Sequence, residues 1–297
     1  MKDSYNYFGN AAANIARAKK HTLSLEEYPY SEYNEISAQN AKVFTEYKED
    51  TLDKCVLAND GKRPTVRLSP RTTVDYVLNS EFEITREPNV VLDFADYLDP
   101  GGKFMEGGIG QEESLCHNSN LFNILKSERL AEEFYWPNRE EFRKTRNFMY
   151  SDKGIMIPRV MFRNSLRDDD RSVDADVIVL AAPNYRHKDC TKVESISEEE
   201  YLSILRSRIE TIFKIAYETY SEECLIYPNM KRALVLGAFG CDEFRNDPKI
   251  VAEIMVDCIN KGYANLFTEV VFAIPPGYNY SVFRQAIRRN LYINIEE

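Results

Sequence analysis

The sequence predicts an α/β protein: a mixed, mostly parallel central sheet between layers of helices, preceded by a helical extension. Two observations carry this. Four short apolar runs, Val90-Val91-Leu92-Asp93-Phe94-Ala95, Ile178–Ala182, Ala233–Leu236 and Val270–Ile274, are each bounded by Pro, Gly or Asn, as buried strands are. Helical patterns lie between them, and strand–helix alternation builds a parallel sheet covered on both faces.

Each element has its own signal. Residues 1–50 are polar and rich in Ala, Glu, Lys and Tyr, with a break near Pro29; they read as an N-terminal helical extension. No repeat or linker divides residues 51–297, which read as one domain. Residues 148–163 suggest an antiparallel edge. Leu202, Leu205, Ile209, Ile212, Phe213, Ala216 and Tyr220 recur at helical spacing and mark one apolar face. Asp247-Pro248 is an N-cap followed by proline at the first helical position, and that helix should stop near Gly262. In such sheets ligands bind beyond the carboxyl ends of the strands.

Composition narrows the function. The 297 residues carry a formal charge of −10, which opposes broad binding to duplex nucleic acid. Six cysteines form no CxxC pair, and three histidines offer little for a zinc site. The thiols read as reduced and the protein as cytoplasmic. No apolar stretch suits a signal peptide or a membrane span.

The densest chemistry lies after the first strand. Five of the twelve glycines fall within residues 101–110. Glycine is entropically costly to order, so the density needs a reason. Backbone amides brought close to a phosphate would supply one; a flexible surface loop would be another. Glu112 and Glu113 then open a helix expected to run through Leu115, Leu121, Phe122 and Leu125. Acids in a first turn commonly serve only the helix dipole. Beside a bound diphosphate, however, such a carboxyl would have its pKa raised and suit general acid catalysis. A second loop, Gly237-Ala238-Phe239-Gly240, follows the third strand, with Phe244 four residues on. Two such loops fit a nucleotide diphosphate. GxxxxGK[ST] is absent, as is GxGxxG at a first strand–helix turn, which disfavours ordinary NTPases and dinucleotide dehydrogenases.

Gly101-Gly102-Lys103, seven residues, then Gln111-Glu112-Glu113 resembles the signature of bacterial-type poly(ADP-ribose) glycohydrolases. The resemblance continues in order through Val91–Ala95, Ala181-Ala182-Pro183-Asn184, Leu236–Cys241, Phe244–Pro248 and Val271–Ile274. It implies a macrodomain fold and hydrolysis of the ribose–ribose O-glycosidic bond of poly(ADP-ribose), releasing ADP-ribose without metal or cofactor. By the same resemblance Glu113 is the catalytic acid and Glu112 holds the adjacent ribose hydroxyls. Gly101, Gly102, Gly237, Ala238, Phe239 and Gly240 bind the diphosphate, and Phe244 stacks on adenine. Asp93 and Asp96 shape the ribose pocket, and Ala95, Lys103, Gln111 and Asn184 complete the ADP-ribose site. Two positions depart from the family pattern: Lys103 replaces a third glycine, and Asp96 stands where asparagine is more familiar. Lys103 keeps open a hydrolase acting on mono-ADP-ribosylated protein; a macrodomain that binds ADP-ribose without cutting it is the further alternative. Cys116-His117 point about 100° apart on a helix and make a poor dyad. Asp168-Asp169-Asp170, between Arg167 and Arg171, reads as a solvated loop, and Trp136 has no assigned role.

Overall fold

Period-two alternation along the strands decides which layer each side chain enters. The computed structural model describes residues 10–79, 88–163, 172–190, 196–226, 231–291 and 295–296; the Asp168–Asp170 cluster lies outside them. The N-terminal part comprises α1 (Ala11–Ser24), α2 (Tyr30–Asn40), β1 (Lys42–Phe44), α3 (Thr51–Leu57), β2 (Thr65–Ser69) and α4 (Thr73–Asn79). The middle comprises β3 (Asn89–Phe94), α5 (Gln111–His117), α6 (Leu121–Leu125), α7 (Glu128–Leu130), α8 (Trp136–Thr145), β4 (Gly154–Arg163) and β5 (Ser172–Leu180). Then come α9 (Glu198–Ile226), β6 (Ala233–Leu236), α10 (Pro248–Lys261), β7 (Glu269–Ala273), α11 (Tyr278–Asn290) and β8 (Ile295–Glu296).

Among the described residues the strands form one sheet in the order β1-β4-β5-β3-β6-β7-β2-β8. Every pairing from β5 to β8 is parallel, and β4 runs antiparallel to both β5 and β1. On β3, Val90 and Leu92 join a core with Leu205, Ile209 and Phe213 of α9, Val251 and Met255 of α10, and Phe283 of α11. Val91 faces the opposite core, with Val74 of α4, Leu115 of α5 and Ile124 of α6. The sheet is therefore covered on both faces. Each fully buried aliphatic or aromatic side chain of these two cores contributes about 1.5–3 kcal/mol.

The four apolar runs form β3, β5, β6 and β7, and residues 154–163 form the antiparallel strand β4. α10 starts as its sequence demands, the Asp247 carboxylate accepting from the Lys249 amide at 2.8 Å, and stops at Gly262, φ +97°. The first fifty residues supply α1 and α2, whose Ala18 and Ala38 are buried in the second core. They also supply β1, which pairs Val43 with Ile155 at the sheet edge. The helix expected from Glu112 to Leu125 is two helices. Its break comes from tertiary pairing: Ser119 bridges Phe162 of β4, and the Asn120 amide donates to Met161 at 3.2 Å.

One buried cation ties α9 to the site end of the sheet. Arg208 pairs with Asp152 at 2.7 Å and donates to the carbonyls of Met149, at 3.0 Å, and Ala181. Removing it leaves those acceptors without a donor. Arg208→Ala is therefore expected to lower the unfolding free energy by about 3 kcal/mol, read from denaturant titration.

Candidate active site

β3 and β6 separate before they end. β3 stays paired with β5 up to Phe94↔Leu180, whereas its pairing with β6 stops at Val91↔Val235. Gln111, the first residue of α5, fills the gap: its side chain accepts from the Phe94 amide and donates to the Leu92 carbonyl, both at 2.9 Å. A single amide side chain thus stands in for a strand and anchors α5 to the end of β3. Above the parted strands opens a cavity of about 730 Å³. Its walls include Thr72–Asp75 after β2, Phe94, Ala238 and Asp242 after β6, and Pro275–Asn279 after β7. Ile109, 65% exposed, and Tyr278, 75% exposed, line it too.

α5 presents two faces. Gln111, Ser114, Leu115 and Asn118, three or four apart, line the cavity. Glu112 and Glu113 turn instead into the glycine loop. Glu112, 3% exposed, accepts from the amides of Asp96 at 2.7 Å and Gly101 at 3.0 Å. Glu113, partly exposed, accepts from the Lys103 amide at 2.9 Å. Of the loop amides, those of Gly101 and Lys103 meet these carboxylates while that of Gly102 donates to the Asp99 carbonyl, which gives the glycines a second reason. A Cβ on Gly102, whose φ is +55°, would lie 2.9 Å from an oxygen of each glutamate, and one on Gly110 would strike Glu113.

The carboxyls crowd one strand end. Asp93 alternates with Val91 and points beneath α5; it is 0% exposed, and neither oxygen has a hydrogen-bond partner. Burial holds its pKa well above the usual carboxylate range, and Glu113 adds to the effect. Burial also raises Glu112, with Asp93 and Asp96 contributing. Glu112 has two amide donors to oppose this rise, and Asp93 has none. Glu113 is likewise raised, by burial and then by Glu243 and Asp96, against the pull of the Lys103 amide. Asp96 turns away from the cavity and accepts from the amides of Leu98 and Asp99 at 2.8 and 2.9 Å.

The remaining candidates divide. Ala95 is buried and donates its amide to Leu180 at 3.2 Å. The Lys103 side chain is exposed. Gly237 and Ala238 lie at the end of β6, and Phe239 is core, edge-on to Phe94 at 5.6 Å. Gly240 carries the carbonyl that Asn246 grips at 3.2 Å while also donating to Pro183 at 3.0 Å. Phe244 is not a wall of the cavity; it lies 6.1 Å from Tyr150, ring to ring. Tyr150 stacks on Tyr97 at 4.6 Å and bonds the side chain of Asn184. Sequence reasoning missed Tyr150; its φ of +58° is unusual for a non-glycine residue. Trp136 is half exposed at the start of α8. Among the described residues no group of three or more His, Cys, Asp or Glu is arranged to hold a metal.

Gly110→Ala isolates the position of Glu113. Gly110 has φ −66°, which any residue adopts, so only the contact with the flexible carboxylate changes. Melting temperature should hold while kcat falls about 100-fold, the usual consequence of a 1 Å displacement of a reacting group; calorimetry and steady-state kinetics read the two effects.

The family model for the catalytic domain of microbial-type PARG matches residues 12–164. The poly(ADP-ribose) glycohydrolase of Deinococcus radiodurans, solved in complex with ADP-ribose, is 25% identical, with 86% of this chain and 97% of that one covered at a TM-score of 0.67. The enzyme of Thermomonospora curvata is 24% identical over 93% of this chain and 99% of its own, with a TM-score of 0.71, and shares the fold. A second structure of it, bound to the inhibitor ADP-HPD, is 24% identical over 92% of this chain and 99% of its own, at 0.67. No curated protein matches by sequence. With the family model covering just over half of its length, the chain belongs to the microbial-type PARG catalytic domain family.

Proposed function

We propose that this protein hydrolyses the ribose–ribose O-glycosidic bonds of poly(ADP-ribose) and releases ADP-ribose, with Glu113 as general acid and then general base. Glu113 carries the reading: it is partly exposed, fixed by the Lys103 amide, and held above the ordinary carboxylate range mainly by burial. Such a carboxyl retains its proton closer to neutrality and can protonate the leaving oxygen as the oxocarbenium-like transition state forms. It then accepts a proton from the attacking water. Glu112, its position fixed by two amides, holds the ribose hydroxyls beside it. Family membership and the ADP-ribose bound to the Deinococcus radiodurans relative support this substrate class.

The 730 Å³ cavity takes the nucleotide end of the ligand, between Ile109 on one side and Tyr278 on the other. The diphosphate crosses between the 101–110 and 237–240 loops. Phe244, next to Tyr150, packs on the sugar side of this path rather than inside the cavity. The net charge of −10 opposes broad electrostatic binding to duplex nucleic acid. No described helix is long and apolar enough to cross a membrane. A cytoplasmic setting fits the free thiols of Cys55, Cys116, Cys241 and Cys258.

Two outcomes test the assignment. Glu113→Gln should lower kcat about 10²–10⁴-fold while calorimetry still detects ADP-ribose binding; hydrolysis within a few-fold of wild type excludes Glu113 as the acid. In the wild type, kcat should fall as pH rises through the pKa of Glu113, because only the protonated form donates. That limb lies above the ordinary carboxylate range and disappears in Glu113→Gln.

A further inference from the structure

Behind the two glutamates lies a buried hydroxyl that the reaction above does not use. Tyr135 is 1% exposed and packs in the same core as Leu115 and Cys116 of α5. Its hydroxyl has no hydrogen-bond partner, and neither has the carboxyl of Asp93, which enters that layer from β3. Buried donors and acceptors are almost always paired, by protein or by ordered water, because an unpaired one is costly. The ionisable groups acting on the Tyr135 hydroxyl are, in order, Glu112, Asp93, Cys116 and Asp96; with burial as the main cause, they keep it protonated. The phenol is thus buried in the same layer as Leu115 and Cys116 of α5, the layer that Asp93 enters from β3.

The backbone that delivers it is independent evidence. Ala131–Tyr135 forms a turn of π-helix between α7 and α8. Such turns are rare, disturb the helical ladder, and occur mostly at functional sites. Phe134 packs perpendicular to the Tyr135 ring at 5.1 Å and edge-on to Tyr97 at 6.5 Å. The turn thus sets Phe134 edge-on to Tyr97 and buries Tyr135 in the core that holds Leu115 and Cys116 of α5.

We propose that Tyr135 is a positioning residue for the catalytic carboxyls, its hydroxyl joined through one bound water to Asp93, so that Asp93 supports Glu112 and Glu113 from below. The proposal rests on the glycohydrolase reading of the site. A hydroxyl donating toward these acids favours their charged forms. Without it the pKa of the Asp93–Glu112 pair rises, and the acid limb of the rate profile moves to higher pH.

Tyr135→Phe removes only the oxygen. Expected is a fall in kcat of about 10- to 100-fold, as for other groups that orient a reacting ligand. KM should change less than about two-fold, with an unchanged melting temperature and an upward shift of the acid limb. Wild-type kinetics and pH profile in Tyr135→Phe, or a loss that merely follows a fall in melting temperature, overturns the proposal. A high-resolution crystal structure of the wild-type protein tests it without any variant. A water within hydrogen-bond distance of both Tyr135 and Asp93 supports it; a Tyr135 hydroxyl bonded only to main-chain atoms overturns it. Wild-type protein that releases no ADP-ribose from poly(ADP-ribose) would instead remove the glycohydrolase reading itself, so the two failures are distinct.

Discussion

The site depends on a reciprocal grip between two carboxylates and one loop backbone. Glu112 and Glu113 accept amide hydrogens from Asp96, Gly101 and Lys103, and in return hold the chain between β3 and α5 in its tight course. α5 has seven residues, too few to be stable alone. Its place is set by these bonds and by Gln111 on β3, not by helix propensity. The acid can be aimed well only because the loop leaves no room for side chains at Gly102 and Gly110.

The same region explains why a cleft exists here at all. A parallel sheet with continuous pairing offers no opening at its centre. Here β3 and β6 stop pairing after Val91↔Val235 while β6 remains joined to β7 as far as Leu236↔Phe272. The sheet divides at its upper end, and Gln111 satisfies the exposed β3 backbone. One wall of the cavity follows β3 and α5; the other follows the loops after β6, β7 and β2. Asn246 staples the 237–240 loop to the segment after β5, through Pro183. Arg208 braces that segment from α9.

Much of this was legible in the sequence because burial on two faces leaves a strong mark. The runs at Val90, Ile178, Ala233 and Val270 became central strands, and the Gln111–Glu113 motif opens α5. β2 escaped because it is half buried and carries Arg67 mid-strand. The break between α5 and α6 is imposed by β4, over forty residues away along the chain, so no local signal announces it. Glycine density in 101–110 announces close approach but does not say to what: Gly102 and Gly110 meet carboxylates, Gly101 meets Phe122 and Gly107 meets the backbone of Ala11. Phe239 and Phe244 look equivalent in sequence, yet one is core and the other lies beside Tyr150. Lone aromatics such as Tyr135 and Tyr150 carry no pattern; backbone geometry alone sets them apart.

An acidic cluster is an odd place to receive a diphosphate, and the distribution of amide donors resolves the conflict. Asp93, Asp96, Glu112 and Glu113 share one strand end, and four charges in a dry site cannot coexist. The backbone ranks them. Asp96 and Glu112 each accept two amides, Glu113 accepts from Lys103 and from its own backbone, and Asp93 accepts none. Burial raises the pKa of all four carboxyls; amide bonds oppose the rise at Asp96, Glu112 and Glu113, and none opposes it at Asp93. Glu113 is raised by burial against its two backbone hydrogen bonds, with Glu243 and Asp96 adding to the rise. A phosphate bound nearby would raise the pKa of Glu113 further, so on the proposed reading the ligand helps to arm the acid.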